Sequence, residues 1–223
     1  MDKLLAIYRS SLGKKYIMAI TGLMGFGFVT MHMLGNLQIY LGQIAPGIYA
    51  LDEYAENLKS LGPILYLARL GLLGAVMVHI VIAFELTKMS YQSRPVKYHK
   101  LVATGSDYAS RTMRVSGPIL LLFIIYHLLD FTFGNVNPNF QEGKVYANVI
   151  ASFSDPLISF FYIVAMLSLG FHMYHGLWSL FQSLGANNSK YNGLIRVFAG
   201  FATLLVVLGN ISIPISVLLK VIK

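Results

Sequence analysis

The sequence predicts an all-α integral membrane protein with five transmembrane helices. Two observations carry that prediction. Of 223 residues, 56% are hydrophobic and only 12% charged, where a soluble domain carries about 25% charged residues; the mean hydropathy is +0.64. Five apolar segments, at about 16–40, 63–87, 115–134, 157–184 and 197–219, each reach the roughly 20 residues needed to cross a bilayer.

In chain order, residues 1–15 (MDKLLAIYRSSLGKK) read as a short basic amphipathic lead-in at the membrane surface. The first apolar segment is too long for the core of a signal peptide and has no small-residue cleavage pattern after it, so it is expected to stay in place. Pro63 and Pro156 stand where a helix start tolerates proline and open the second and fourth spans. The stretches LGQIAPGIYALDEYAENLKSLGP and GNVNPNFQEGKVYANVIASFSDP join spans on one side and are expected to be partly helical. No repeat or linker divides the chain, so residues 1–223 are expected to form one membrane domain.

Lysine and arginine set the orientation. Lys3, Arg9, Lys14 and Lys15 precede the first span. Lys88, Arg94, Lys97, Lys100, Arg111 and Arg114 fill the 88–114 loop, and Lys190 and Arg196 the 185–196 loop. The opposite side has Lys59 and Lys144 in its loops, with Lys220 and Lys223 at the tail. The N-terminus is therefore expected in the cytoplasm and the C-terminus outside. This asymmetry accounts for most of the net charge of +8. It suits anionic lipid or a soluble partner on the cytoplasmic face and is not read as a nucleic-acid footprint.

The chain has no cysteine. Disulfides, thiolate-ligated clusters, cysteine-type zinc sites and covalently attached c-type haem are thereby excluded. Metal chemistry must rest on histidine, methionine or carboxylate. Histidine is present inside each of the first four spans: His32, His79, His127, and the pair His172 and His175. An ionisable ring in hydrocarbon is costly, so it faces the bundle interior and takes a partner. At 1.5 Å per residue from the cytoplasmic edge, His32 lies roughly 25 Å deep and His127 roughly 20 Å; His79 lies at about 13 Å, and His172 and His175 at about 15–20 Å. Depth thus groups His32 with His127 toward the outside, and His79 with His172 or His175 toward the inside. Two imidazoles facing across a four-helix bundle suit a bis-histidine haem b, and two such sites at different depths make a path for electrons. Gly22, Gly25, Gly27, Gly71, Gly74, Gly170 and Gly176 lie near the rings. They serve either to clear space for a flat macrocycle or to let helices pack closely.

The segment FHMYHGLWSLFQSLG (171–185) resembles the fourth helix of the di-haem cytochrome b membrane-anchor subunit of succinate dehydrogenase and fumarate reductase, complex II. FVTMHMLGN, AVMVHIVIAF and LFIIYHLLDF match that family's first three ligand positions, and MRVSGPILL (113–121) resembles the start of its third helix. The resemblance implies five helices with one haem-ligating histidine in each of the first four. It selects His172, four residues before Gly-Leu-Trp-Ser, over His175. The implied ligands are His32 and His127 for the outer haem iron, and His79 and His172 for the inner one. The implied subunit anchors a flavoprotein and an iron–sulfur protein on the cytoplasmic side of a bacterial inner membrane. It relays electrons through two haems b to membrane quinone, usually menaquinone; succinate chemistry itself belongs to another subunit.

Arg114, Ser116 and His175 are expected near the inner haem propionates, with Thr21, Tyr16 and Lys15 as lesser candidates. Arg69, roughly 9 Å inside the outer end of span two, and Asp130, three residues past His127 and on its face, are candidates for a quinone site. Arg69 stands where family members often carry a carboxylate. Glu85 is expected to pair with basic loop residues, and Trp178 to serve packing. Two other functions fit less well. One is a di-haem cytochrome b serving a hydrogenase or formate dehydrogenase; the other is a histidine-containing transporter, for which the sequence shows no inverted repeat or broken helix.

Overall fold

The computed structural model describes residues 8–93, 108–186 and 188–223. Lys3, Arg94, Lys97 and Lys100, counted above in the cytoplasmic charge, lie outside these residues. Helix α1 (Ser11–Asn36) starts at Ser10, whose hydroxyl accepts the Gly13 N–H at 2.9 Å. This cap satisfies one of the amide groups that a helix start leaves unpaired. A 3-10 turn, Leu37–Leu41, continues it. A small antiparallel hairpin follows, β1 (Gln43–Ala45) with β2 (Ile48–Tyr49), turning at Gly47 with φ +75°. Helix α2 (Ala50–Ser60) lies at the end of the bundle opposite the start of α1, and α3 (Pro63–Gln92) runs back with proline in its first turn.

Helix α4 (Tyr108–Phe131) returns to the α2 end, α5 (Val145–Phe153) is the second short helix there, and α6 (Pro156–Ser183) runs back again. Asp155 caps α6 by accepting the Leu157 and Ile158 amides. Helix α7 (Asn192–Leu218) is the last span. Each long connection read as partly helical therefore contains one helix, α2 or α5.

Five helices, α1, α3, α4, α6 and α7, are long and apolar enough to cross a membrane. The helices outrun the apolar segments, chiefly at the end of the bundle where α1 begins. Helix α1 begins at Ser11 rather than near 16, α3 runs to Gln92 rather than 87, and α4 starts at Tyr108 rather than 115. Hydropathy marks the hydrocarbon slab, whereas the hydrogen-bond ladder continues for as long as the backbone remains helical.

The spans pack as two pairs. Helix α1 lies on α3, and α4 lies on α6; α1 crosses to α6, and α7 packs against α6 and α1. Large side chains such as Leu67, Phe84, Leu122 and Leu157 stay exposed on the outer faces, as lipid contact requires. The core concentrates at the end of the bundle that carries α2 and α5, where Ile39, Leu51, Tyr146, Phe153, Tyr162, Ile213 and Val217 meet. There the short helices α2 and α5 seal the bundle. Gly35 lets the Tyr54 ring of α2 rest against α1, since a Cβ at that position would lie 2.5–2.8 Å from ring atoms.

Candidate functional site

The histidines meet across the two helix pairs. His32 on α1 and His127 on α4 have ring centroids 5.8 Å apart, with ring planes at 87°. His79 on α3 and His172 on α6 have centroids 6.1 Å apart, at 53°. Each contact links a helix of one pair to a helix of the other. His175 lies half-buried one turn further along α6, and it is the His172 ring that stands opposite His79.

The donor set narrows what the pairs can hold. Among the described residues no cluster of three or more His, Asp or Glu is placed to bind a metal ion. Two imidazoles suit a metal whose remaining ligands come with it, as in a macrocycle. Two metal–nitrogen bonds of about 2 Å, one from each ring, put the ring centroids about 6 Å apart, the spacing seen at both levels. Backbone clearance is present too. Gly25 stands seven residues before His32, on the same helix face, and Gly176 one turn past His172. A Cβ at either would meet no atom within 4 Å. The same holds for Gly27, Gly71, Gly74 and Gly117. Gly22 is tighter, its added Cβ 3.5 Å from the His79 ring, and at Gly170 a Cβ would come within 3.1 Å of Val207. The residues present therefore fit a haem at each level.

A hydroxyl from another helix lies beside the Nδ1 of three of these rings. Thr21 Oγ1 is 3.0 Å from His79 Nδ1 and donates to the Ile17 carbonyl at 2.9 Å. Ser116 Oγ is 3.3 Å from His172 Nδ1 and donates to the Met113 carbonyl at 3.4 Å. Tyr162 OH is 3.5 Å from His127 Nδ1 and donates to Asp130 Oδ2 at 2.8 Å. The ring of His32 is stacked on Phe28, centroids 5.3 Å apart.

Asp130 is almost completely buried, with 1% of its surface exposed. Its Oδ2 also accepts the Ser152 hydroxyl at 2.7 Å, and its Oδ1 has no hydrogen-bond partner among the described residues. The carboxyl thus presents no open face to a quinone. Arg69 is exposed on α3, its guanidinium carbon 6.0 Å from the centre of the Tyr66 ring, and the structure does not bring it to Asp130 or to a histidine pair. Arg114 is also exposed. It donates to Tyr91 OH at 2.7 Å and stacks on that ring, tying the start of α4 to the end of α3. Ser116, expected near a propionate, instead lies against His172.

Glu85 pairs with Lys14, at the start of α1, and not with a loop base. The two meet because the start of α1 and the end of α3 pack side by side. Trp178 packs as expected and carries the Arg196 guanidinium 4.2 Å above its ring. Sequence reasoning missed Tyr162 and Ser152. Each reaches Asp130 from a different helix, with no spacing in the sequence to signal it.

Comparison with curated proteins and with solved structures gave no match. A family model described as succinate dehydrogenase/fumarate reductase transmembrane subunit matches residues 90–208, just over half of the chain. The matched stretch carries α4, α5 and α6 with His127 and His172, and the geometry joins to it the His32 and His79 of the preceding helices. The chain, a multi-pass membrane protein, therefore belongs to the succinate dehydrogenase/fumarate reductase transmembrane subunit family and is a membrane subunit of that enzyme complex.

Proposed function

We propose that the chain binds two b-type haems, one between His32 and His127 and one between His79 and His172, and conducts electrons between its partner subunits and a membrane quinone. The observation that carries this reading is the pair of imidazole contacts at 5.8 and 6.1 Å, each bridging helices from opposite halves of the bundle. A haem held on both faces by histidine takes up and releases one electron while leaving no iron position open to oxygen or substrate.

The protein's own part is to hold and insulate. Four helices present the rings, and the apolar outer faces keep water from the interior. The basic ends Arg9, Lys15, Lys88, Arg111 and Arg196 give the cytoplasmic side its docking charge for a flavoprotein and an iron–sulfur subunit. This orients the N-terminus to the cytoplasm of a bacterial inner membrane and the C-terminus outward. Arg114 and His175, near the cytoplasmic ends of α4 and α6, are the side chains we assign to the inner propionates. Arg69, in the outer half of α3 and exposed, is the one we assign to the headgroup of menaquinone or another quinone.

The test is an optical spectrum of membranes containing the complex. Dithionite reduction should reveal low-spin b-type bands equivalent to two haems per chain. Substituting His32 or His127 with leucine should remove one component, and His79 or His172 the other. A preparation without haem, or a single spectral component unaffected by the His32 and His127 variants, would overturn the proposal.

A further inference from the structure

We infer that Thr21 and Tyr162 fix the proton of His79 and His127 on Nδ1, leaving each Nε2 lone pair bare, and that Asp130 positions His127 through Tyr162. The argument is one of hydrogen-bond direction. A neutral imidazole has one nitrogen that donates and one that accepts. A hydroxyl has a single hydrogen, and in both cases it is already given elsewhere: Thr21 to Ile17 O at 2.9 Å and Tyr162 to Asp130 Oδ2 at 2.8 Å. Toward the histidine each hydroxyl oxygen can therefore only accept. The hydrogen between them belongs to Nδ1, and Nε2 is left as the acceptor or ligand atom.

The inner hydroxyl and the outer one reach this state by different means. Thr21 returns its hydrogen to the carbonyl four residues back in its own helix, a habit of helical serine and threonine. A tyrosine hydroxyl at the end of its ring cannot reach its own helix backbone, so Tyr162 needs an acceptor from outside. Asp130 of α4 is that acceptor, and Ser152 of α5 holds the same carboxyl oxygen from the other side. This accounts for a carboxyl buried in the apolar outer end of the bundle. Asp130 acts on His127 through Tyr162 and is a positioning residue, distinct from a group that meets quinone.

What the bare nitrogen holds rests on the haem proposal; the position of the proton does not. The experiment therefore has two readouts on the full complex. In a redox titration of the haem bands, Tyr162→Phe should raise the midpoint of the outer component alone, because an Nδ1–H without an acceptor makes the ring a poorer donor to oxidised iron. Outer partners of ligating histidines are worth about 10–100-fold in metal affinity. A tenfold loss confined to the oxidised state is about 59 mV for one electron. Thr21→Val should move only the inner component, and Thr21→Ser should restore it. Asp130→Asn, which keeps a carbonyl acceptor for Tyr162, should shift the outer midpoint less than Tyr162→Phe; it serves as the outer test should the phenylalanine variant fail to assemble.

The second readout is nitrogen-15 NMR of histidine-labelled protein depleted of haem, which should show protonated Nδ1 at these rings. Both haems present with unmoved midpoints in the Tyr162→Phe and Thr21→Val variants would overturn the inference and leave the haem proposal standing. Wild-type protein without haem would end that proposal; protonated Nε2 would then overturn the inference as well, and protonated Nδ1 would uphold it.

Discussion

The bond between Tyr162 and Asp130 makes a quantitative prediction that needs no cofactor. Replacing Asp130 with alanine leaves the hydrogen of the Tyr162 hydroxyl without its acceptor, in a site where the residue is 5% exposed. A buried donor without an acceptor costs about 1–3 kcal/mol, and hydrogen bonds between transmembrane helices average about 0.6 kcal/mol because the unfolded chain also finds partners. Ser152 loses its acceptor too, but a helical serine can turn back to the carbonyl four residues earlier, that of Asn148. Its share is therefore small. In a Tyr162→Phe background no tyrosine hydroxyl remains to strand. The same Asp130→Ala change should then cost less, by about 0.6–3 kcal/mol. The assay is reversible unfolding of the detergent-solubilised chain in a denaturing-detergent titration, on wild type, both single variants and the double. Effects that add to within about 0.3 kcal/mol, as for sites with no contact, would show that the two side chains are not bonded and would refute the reasoning.

The remaining predictions concern the helix contacts and the space between the pairs. Gly35→Ala should destabilise the fold by about 1–3 kcal/mol in the same titration, because its Cβ meets the rigid Tyr54 ring. Gly209→Ala should cost less, since it meets the flexible end of Met33, a side chain that adapts readily. Gly25→Leu should leave unfolding of the haem-free chain unchanged, its Cβ position being open, while lowering haem content per chain in the pyridine haemochrome assay. Glu85→Gln should destabilise more than Lys14→Met, because it is the lysine that is nearly enclosed, at 9% side-chain exposure against 34% for the glutamate, and a buried charge without its partner is the costlier remnant.

Much of the site was legible in the chain. An ionisable ring inside an apolar segment announces itself, and its depth follows from counting residues, because the rise along a helix is fixed. His32 and His127 were thereby set at one level and His79 at another. Between His172 and His175, three residues apart on one helix, depth alone leans slightly to His175. Resemblance chose His172, and it is that ring which lies 6.1 Å from His79. Arg114 shows what packing adds. The sequence offers it to a propionate, and the structure adds a bond to Tyr91 on the neighbouring helix that no spacing in the chain signals. The Glu85 partner, Lys14, is 71 residues away and depended on which helix packs on α3.

The sequence by itself determined the five spans and grouped His32 with His127 and His79 with the α6 histidines, since hydropathy and residue count are properties read along one dimension. The tertiary structure decided which helices stand side by side and which face each turns inward. Those choices belong to the packing of separate helices in the plane of the membrane, where side-chain shape and small residues set the contacts. Only there do Thr21, Ser116 and Tyr162 come to their histidines, and Asp130 to Tyr162.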